Sequence, residues 1–185
     1  INGEERQYPQ GATYEDVAND YQKEYDNLIA LAARDGKIRE LFKKLTRDCE
    51  ITFFTLKDDV GNKTYVRSAT MLFLKAVFDV FGRETVQNCR VEFAIGNGSY
   101  ISPKGQIKAT EENAAKIRNR MRELVEAKTP FLKKSYSLDN AMELFRREGM
   151  KDKEKLFHYR RGSFVNIYET VSYTHLRAHE TKANL

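Results

Sequence analysis

The sequence has no tryptophan, three prolines, two cysteines and three histidines among its 185 residues. Cys49 and Cys89 lie far apart, in no CxxC or Cys/His pair, which excludes a disulfide framework and a cysteine zinc site and fits a reducing, cytoplasmic location. Long apolar runs are missing too. Met71 to Leu74 is among the longest, far short of the ~20 residues a membrane span needs, so no membrane partner is expected. The chain opens on Ile1, with no basic-then-apolar leader behind it. It reads as an excerpt without a secretory signal.

What is present is charge, unevenly spread. Residues 1–60 carry 9 basic and 13 acidic side chains, residues 61–170 carry 21 and 13, and residues 171–185 carry two and one. An acidic front joined to a basic body suggests two units, the second able to attract an anionic partner such as nucleic acid or a nucleotide. Hydrophobic residues at 41% are enough for a core in each.

The first unit reads as short strands around one helix. Ile1 and Glu4 to Tyr8 flank Asn2-Gly3, a hairpin dipeptide. Thr13 and Asp16 form a capping-box pattern opening a helix over Tyr14 to Gln22. Leu28 to Ala33 and Lys37 to Leu41 form a second hairpin about Asp35-Gly36, and Ile51 to Leu56 adds a strand. That order is the order of a β-grasp domain, placed at residues 1–58. The polar stretch Lys57 to Asn62 reads as the boundary.

The second unit, residues 61–170, begins with an apolar helix over Thr64 to Phe81 that should be central. Arg90 to Ile95 and Ser99 to Ser102 form a hairpin about Asn97-Gly98. Thr110 caps a helix over Glu111 to Lys128, whose Ala114, Ile117, Met121, Leu124 and Val125 recur at helical spacing. Phe131 to Tyr136 reads as a strand, Ser137 caps a helix to Glu148, Asp152 caps a short one to Tyr159, and Ser163 to Glu169 is the last strand. The expected architecture is an α+β sandwich of helices on a mostly antiparallel sheet. Residues 171–185 continue neither period and resemble translated sequencing adapter, a non-native tail set apart from the functional reading.

Catalytic constellations are missing. His175 and His179 have the spacing of two ligands on a helix face, but they stand in the tail, and Leu176 takes the place of the Glu of an HExxH site, so no metal is expected. His158 alone makes neither a triad nor a Cys/His pair. Gly96-Asn97-Gly98 lies within a hairpin rather than at a strand-to-helix turn, and no P-loop follows Pro103-Lys104-Gly105. Catalytic residues are therefore none. The basic groups Lys133, Lys134, Lys151, Lys153, Lys155, Arg160 and Arg161 lie near Tyr136 and Tyr159 in sequence, the residue types that bind phosphate and stack on bases, although Asp152 and Glu154 alternate with them as on a solvated face.

NGEERQYPQGATYEDVA and DGKIREL resemble the TGS domain, a β-grasp module that opens threonyl-tRNA synthetases. YVRSATMLFLKAVFDVFG, EFAIGNGSY and the run from Ile117 to Gly149 resemble, in order, the editing-associated second domain of those synthetases. Over residues 1–170 the chain resembles the amino-terminal region of bacterial nucleoside kinases of the uridine kinase type, with LFHYRRGSFVNIYET near the segment leading onward. That resemblance implies a recognition or regulatory region ahead of a missing P-loop kinase domain acting on uridine or cytidine, with ATP and Mg needed only there and no cofactor in this chain. Expected partners are the downstream kinase domain, a nucleoside or nucleotide, RNA, or a second copy of the chain. The alternative is a tRNA- or RNA-binding module related to the synthetase. In the synthetase the central helix carries an HxxxH pair of the editing site, and the aligned positions are Ser68 and Leu72, which cannot do imidazole work. The family's cleft position places a ligand between the central helix and the hairpin, where Arg67, Ser68, Asn97 and Tyr100 would face Lys133, Arg160 and Arg161.

Overall fold

The computed structural model describes residues 1, 3–87, 89–95, 98–103, 107–159, 162–170 and 173–175. The chain forms two compact units, Ile1–Thr70 and Met71–Leu185. It is a mixed α/β chain with small antiparallel sheets.

In the first unit, helix α1 (Tyr14–Tyr21) starts where its capping box sets it: the Thr13 hydroxyl accepts from the Asp16 N–H at 3.2 Å, and the Asp16 carboxylate accepts from the Thr13 N–H at 2.8 Å. Its Tyr14, Val17, Ala18 and Tyr21 recur on one face and are buried against Ile29 and Ala32 of β1 (Ile29–Arg34) and against Ile51 and Phe53 of β3 (Ile51–Thr55). Strand β2 (Lys37–Arg39) returns along β1 through Asp35-Gly36, both at positive φ, giving the order β2-β1-β3. The expected strands at Ile1 and at Glu4 to Tyr8 do not form. Side chains tie the segment down instead. The Tyr21 hydroxyl donates to Glu4 at 2.9 Å, the Tyr8 hydroxyl donates to Asp20 at 3.1 Å, and the Arg6 guanidinium lies 4.7 Å from the Tyr21 ring centre. Three strands, not five, are therefore found among the described residues of this unit.

Helix α2 (Asp59–Phe81) begins five residues earlier than the apolar pattern suggests. Asp58 accepts from the Thr55 N–H at 2.7 Å and the Thr55 hydroxyl at 2.9 Å, and the Asn62 N–H donates to the Asp58 carbonyl at 2.8 Å, so the polar run closes a first turn in place of a loop. Gly61 is required there by contact. A Cβ on it would sit 2.0 Å from the Thr55 carbonyl oxygen.

In the second unit, Leu74 and Val77 of α2 form a core with Val86 of α3 (Arg83–Gln87), a helix the sequence pattern did not suggest. The hairpin β4 (Cys89–Ile95) and β5 (Gly98–Pro103) forms as expected, with Asn97 outside the described residues. Thr110 caps α4 (Glu111–Glu126) by accepting from the Asn113 N–H at 3.3 Å. Strand β6 (Leu132–Ser137) leads through Ser137, which accepts from the Asn140 N–H, into α5 (Leu138–Arg147). Helix α6 (Lys151–His158) opens one residue before Asp152, because the Glu154 N–H already donates to the Met150 carbonyl at 3.0 Å; Asp152 is a helical residue and not the cap. Strand β7 (Phe164–Thr170) pairs with β6 and with β8 (Tyr173–His175). Among the described residues the expected single sheet is two: β4-β5 and β6-β7-β8. Phe145 and Phe157 meet edge to face at 4.9 Å over Val165 and Ile167 and seal α5 and α6 onto one face of the second sheet.

Helices α2 and α4 are joined by charge. Lys75, 4% exposed, places its Nζ 2.5 Å from Asp79, whose other carboxylate oxygen accepts from Arg120 Nε at 2.9 Å, and Arg120 also reaches Glu123. A buried ammonium without a carboxylate is costly.

Gly61→Ala is expected to lower stability by about 1–3 kcal/mol through overpacking against Thr55, read as a shift in urea midpoint at unchanged slope; an unshifted midpoint would contradict the close approach. Asp79→Ala, which strands Lys75, is expected to cost about 3 kcal/mol in the same assay. A loss under about 1 kcal/mol would mean that Lys75 reaches water.

Candidate functional site

The residues proposed from sequence as a ligand cleft fall as follows. Arg67 and Ser68 are exposed neighbours on the first-unit part of α2. Tyr100 of β5 stacks on Phe93 of β4, ring centres 5.2 Å apart. Lys133 of β6 carries its Nζ 5.8 Å from the Tyr168 ring centre. Asn97, Arg160 and Arg161 lie outside the described residues. Tyr100 and Lys133 therefore stand on different sheets of the second unit, each beside a different aromatic ring.

The second unit has two shallow hollows. One, of about 340 Å³, has an apolar floor of Leu72, Met121 and Val125 with Arg118, Arg122 and Glu126 around it. Arg118 and Arg122 share a face of α4 at i, i+4 spacing. Arg118 lies 3.4 Å from Glu111. The other, of about 310 Å³, is walled by Phe73, Val77, Ile101, Ile107 and Ile117, with Cys89 among the lining residues. Burial pushes the Cys89 thiol up, so it stays protonated at neutral pH and is a poor nucleophile.

No imidazole lines either hollow. His158 meets the Tyr159 ring edge-on. Among the described residues no group of three His, Cys, Asp or Glu is placed to hold a metal ion. His175 lies in a strand, which is not the helical geometry that pairing with His179 requires, and His179 lies outside the described residues. The Leu72 position, one helical turn after Ser68, thus presents an apolar side chain to a groove rimmed by cations. Such a surface, apolar at its floor with two arginines and a glutamate around it, can bind.

Beside Lys133, on the other face of the sheet, Glu169 accepts from the Tyr136 hydroxyl and pairs with Lys134 at 2.5 Å. Burial pushes the Glu169 carboxyl up, but these two donors outweigh it and hold the carboxyl below its ordinary value. The hydrogen bond to Glu169 correspondingly raises Lys134 and Tyr136. Sequence reasoning missed Glu169 and Tyr168; the alternating run Phe164-Val165-Asn166-Ile167-Tyr168 was the available signal.

No family model matches the chain. Among curated proteins it is 28% identical over 177 residues to threonine–tRNA ligase of Thermotoga maritima, covering 90% of this chain and 27% of that protein. The threonine–tRNA ligase of Thermotoga neapolitana is 26% identical over 174 residues, with the same coverage, and that of Rhizobium etli CIAT 652 is 28% identical over 155 residues, covering 84% and 23%. The chain is homologous to a region of threonine–tRNA ligase. It spans about a quarter of the length of these relatives. The nucleoside-kinase assignment is corrected by this finding: these relatives are ligases, not uridine kinases. Its error has a plain cause. Residues 1–170 hold no phosphate cradle, the feature that would mark a kinase, so that assignment rested on resemblance alone. The homology fits an editing-like domain; no described helix is long and apolar enough to cross a membrane.

Because the folded Glu169 value lies below the unfolded value of about 4.3, its stabilisation is complete above that value and is lost as pH falls through the folded value. The urea-midpoint difference between the wild-type chain and Glu169→Gln should therefore be largest near neutrality and shrink on acidification. A difference independent of pH would remove the carboxylate from this role.

Proposed function

We propose that this chain is an RNA-recognising, non-editing region of a threonine–tRNA-ligase-like protein, with tRNA as its partner. Residues 1–58 correspond in this reading to the TGS-like module and residues 61–170 to the editing-like domain. The observation that carries the reading is homology to threonine–tRNA ligase along 90% of the chain. The eight-charge cationic excess of residues 61–170 supports it, since phosphate neutralisation supplies most of the affinity for nucleic acid. The absence of editing follows from Ser68 and Leu72. A hydroxyl on an exposed helix face and an isobutyl group in an apolar groove replace the imidazoles that the synthetase resemblance assigns to those positions. Binding of this kind needs no cofactor, because lysine and arginine side chains meet phosphate directly.

Titration of tRNA into the full chain between about 50 and about 200 mM salt tests this. With each phosphate contact contributing about −0.7 to −0.9 to the slope of log K against log salt, three or more contacts should give a slope of about −2 or steeper. Affinity that is undetectable, or indifferent to salt, would dispose of the reading.

A further inference from the structure

The sheet β6-β7-β8 has two chemically different faces. Tyr136, Val165 and Ile167 point to α5 and α6 and join the core there. The side chains between them point the other way, as strand alternation requires. The ladder register places them in cross-strand pairs: Ser137 opposite Phe164, Ser135 opposite Asn166, and Lys133 opposite Tyr168. This face is most open at Phe164 and at the Ser135–Asn166 pair and partly covered at Ser137 and at the Lys133–Tyr168 pair. Phe164 is 66% exposed, Ser135 and Asn166 are exposed, and Tyr168 and Lys133 are half-buried; Thr170, at the end of the face, is buried.

A bare phenyl ring at one end, a tyrosine with a cation over it at the other, and a serine and asparagine pair between them are unusual on a solvated sheet. Packing does not require Phe164: its ring is outside the core that Val165 and Ile167 build. Aromatic rings on an open sheet are platforms for unpaired bases, because every base has a π face to lay on them. Amide and hydroxyl groups between such rings can meet base edges, and a lysine supplies charge for the phosphates. Phe164 and Tyr168 are four strand residues apart, ~13 Å, so they would take different bases.

We infer that the β6–β7 face is a binding platform for single-stranded RNA, with Phe164 and Tyr168 as stacking residues, Asn166 and Ser135 as base-edge contacts and Lys133 as a phosphate contact. The inference rests on the RNA reading above and names its site. The occupant follows from charge as well as from the rings: the platform belongs to a segment with 21 basic and 13 acidic side chains, which suits a polyanion better than an apolar peptide.

The test uses the full chain and a labelled single-stranded oligoribonucleotide of about ten nucleotides, followed by fluorescence anisotropy. Alanine at Phe164 or at Tyr168 should weaken binding about tenfold or more, the usual effect of losing one stacked base. Phe164→Leu should lose as much, whereas Phe164→Trp and Tyr168→Phe, which keep a ring, should bind as the wild type does; circular dichroism confirms the fold of each. Lys133→Ala should lower the salt slope by about 0.7. A single strand that does not bind, or that binds Phe164→Leu and Tyr168→Ala with undiminished affinity, overturns the platform. A chain that binds tRNA but not this oligonucleotide loses the platform and keeps the RNA reading; one that holds the oligonucleotide through these rings yet ignores tRNA does the reverse.

Discussion

A lysine ammonium taken out of water has to be met by a carboxylate, and in the second unit the carboxylate that meets Lys75 also receives Arg120 of α4. Lys75, on the same helix as Asp79, takes one oxygen of that carboxylate and Arg120 of α4 takes the other, so the Asp79–Arg120 contact is the charged link between the two helices. Leu72 precedes Lys75 by three residues, and Met121 directly follows Arg120. Once the charged group is in place, these two side chains come to the floor of the same groove. The cationic rim of that groove follows from α4 itself, which carries Arg118 and Arg122 on one face.

Positions 68 and 72 stand apart from this scaffold. The scaffold depends on the buried ion group and on the apolar contacts around Val77, none of which needs the residues at positions 68 and 72. Serine and leucine can occupy those positions at no cost to packing, one exposed to water and the other half-buried. What remains is a framework that presents cations and aromatic rings.

Much of the fold was legible where local chemistry decides it. The Thr13, Thr110 and Ser137 caps, the Asp35-Gly36 turn and the apolar period of α1 each act over a few residues, and each element begins close to where its sequence signal stands. The misreadings arose where distant parts decide. Gly61 looked like turn punctuation, but the Thr55 carbonyl requires a glycine inside a helix. Ile1 and Glu4 to Tyr8 looked like strands, but only a ladder partner makes a strand, and side chains of α1 hold that segment instead. The single sheet expected in the second unit divides in two because pairing partners are a property of the whole unit. For the candidate site, Lys133 was legible as a cation beside aromatic residues. Its neighbour Tyr168 was not, since their meeting depends on the β6–β7 register. The resemblance to the synthetase was legible in the sequence, and the error lay in extending it to a kinase.

The central claim is that this polypeptide holds RNA and leaves it chemically unchanged. It is tested most directly by mixing charged tRNA with excess full chain and following two quantities together, the fraction bound and the fraction of ester remaining. The expected result is saturable binding with the ester decaying at the rate seen in buffer alone. Faster loss of the amino acid, or charged tRNA that stays free at every protein concentration, would contradict it.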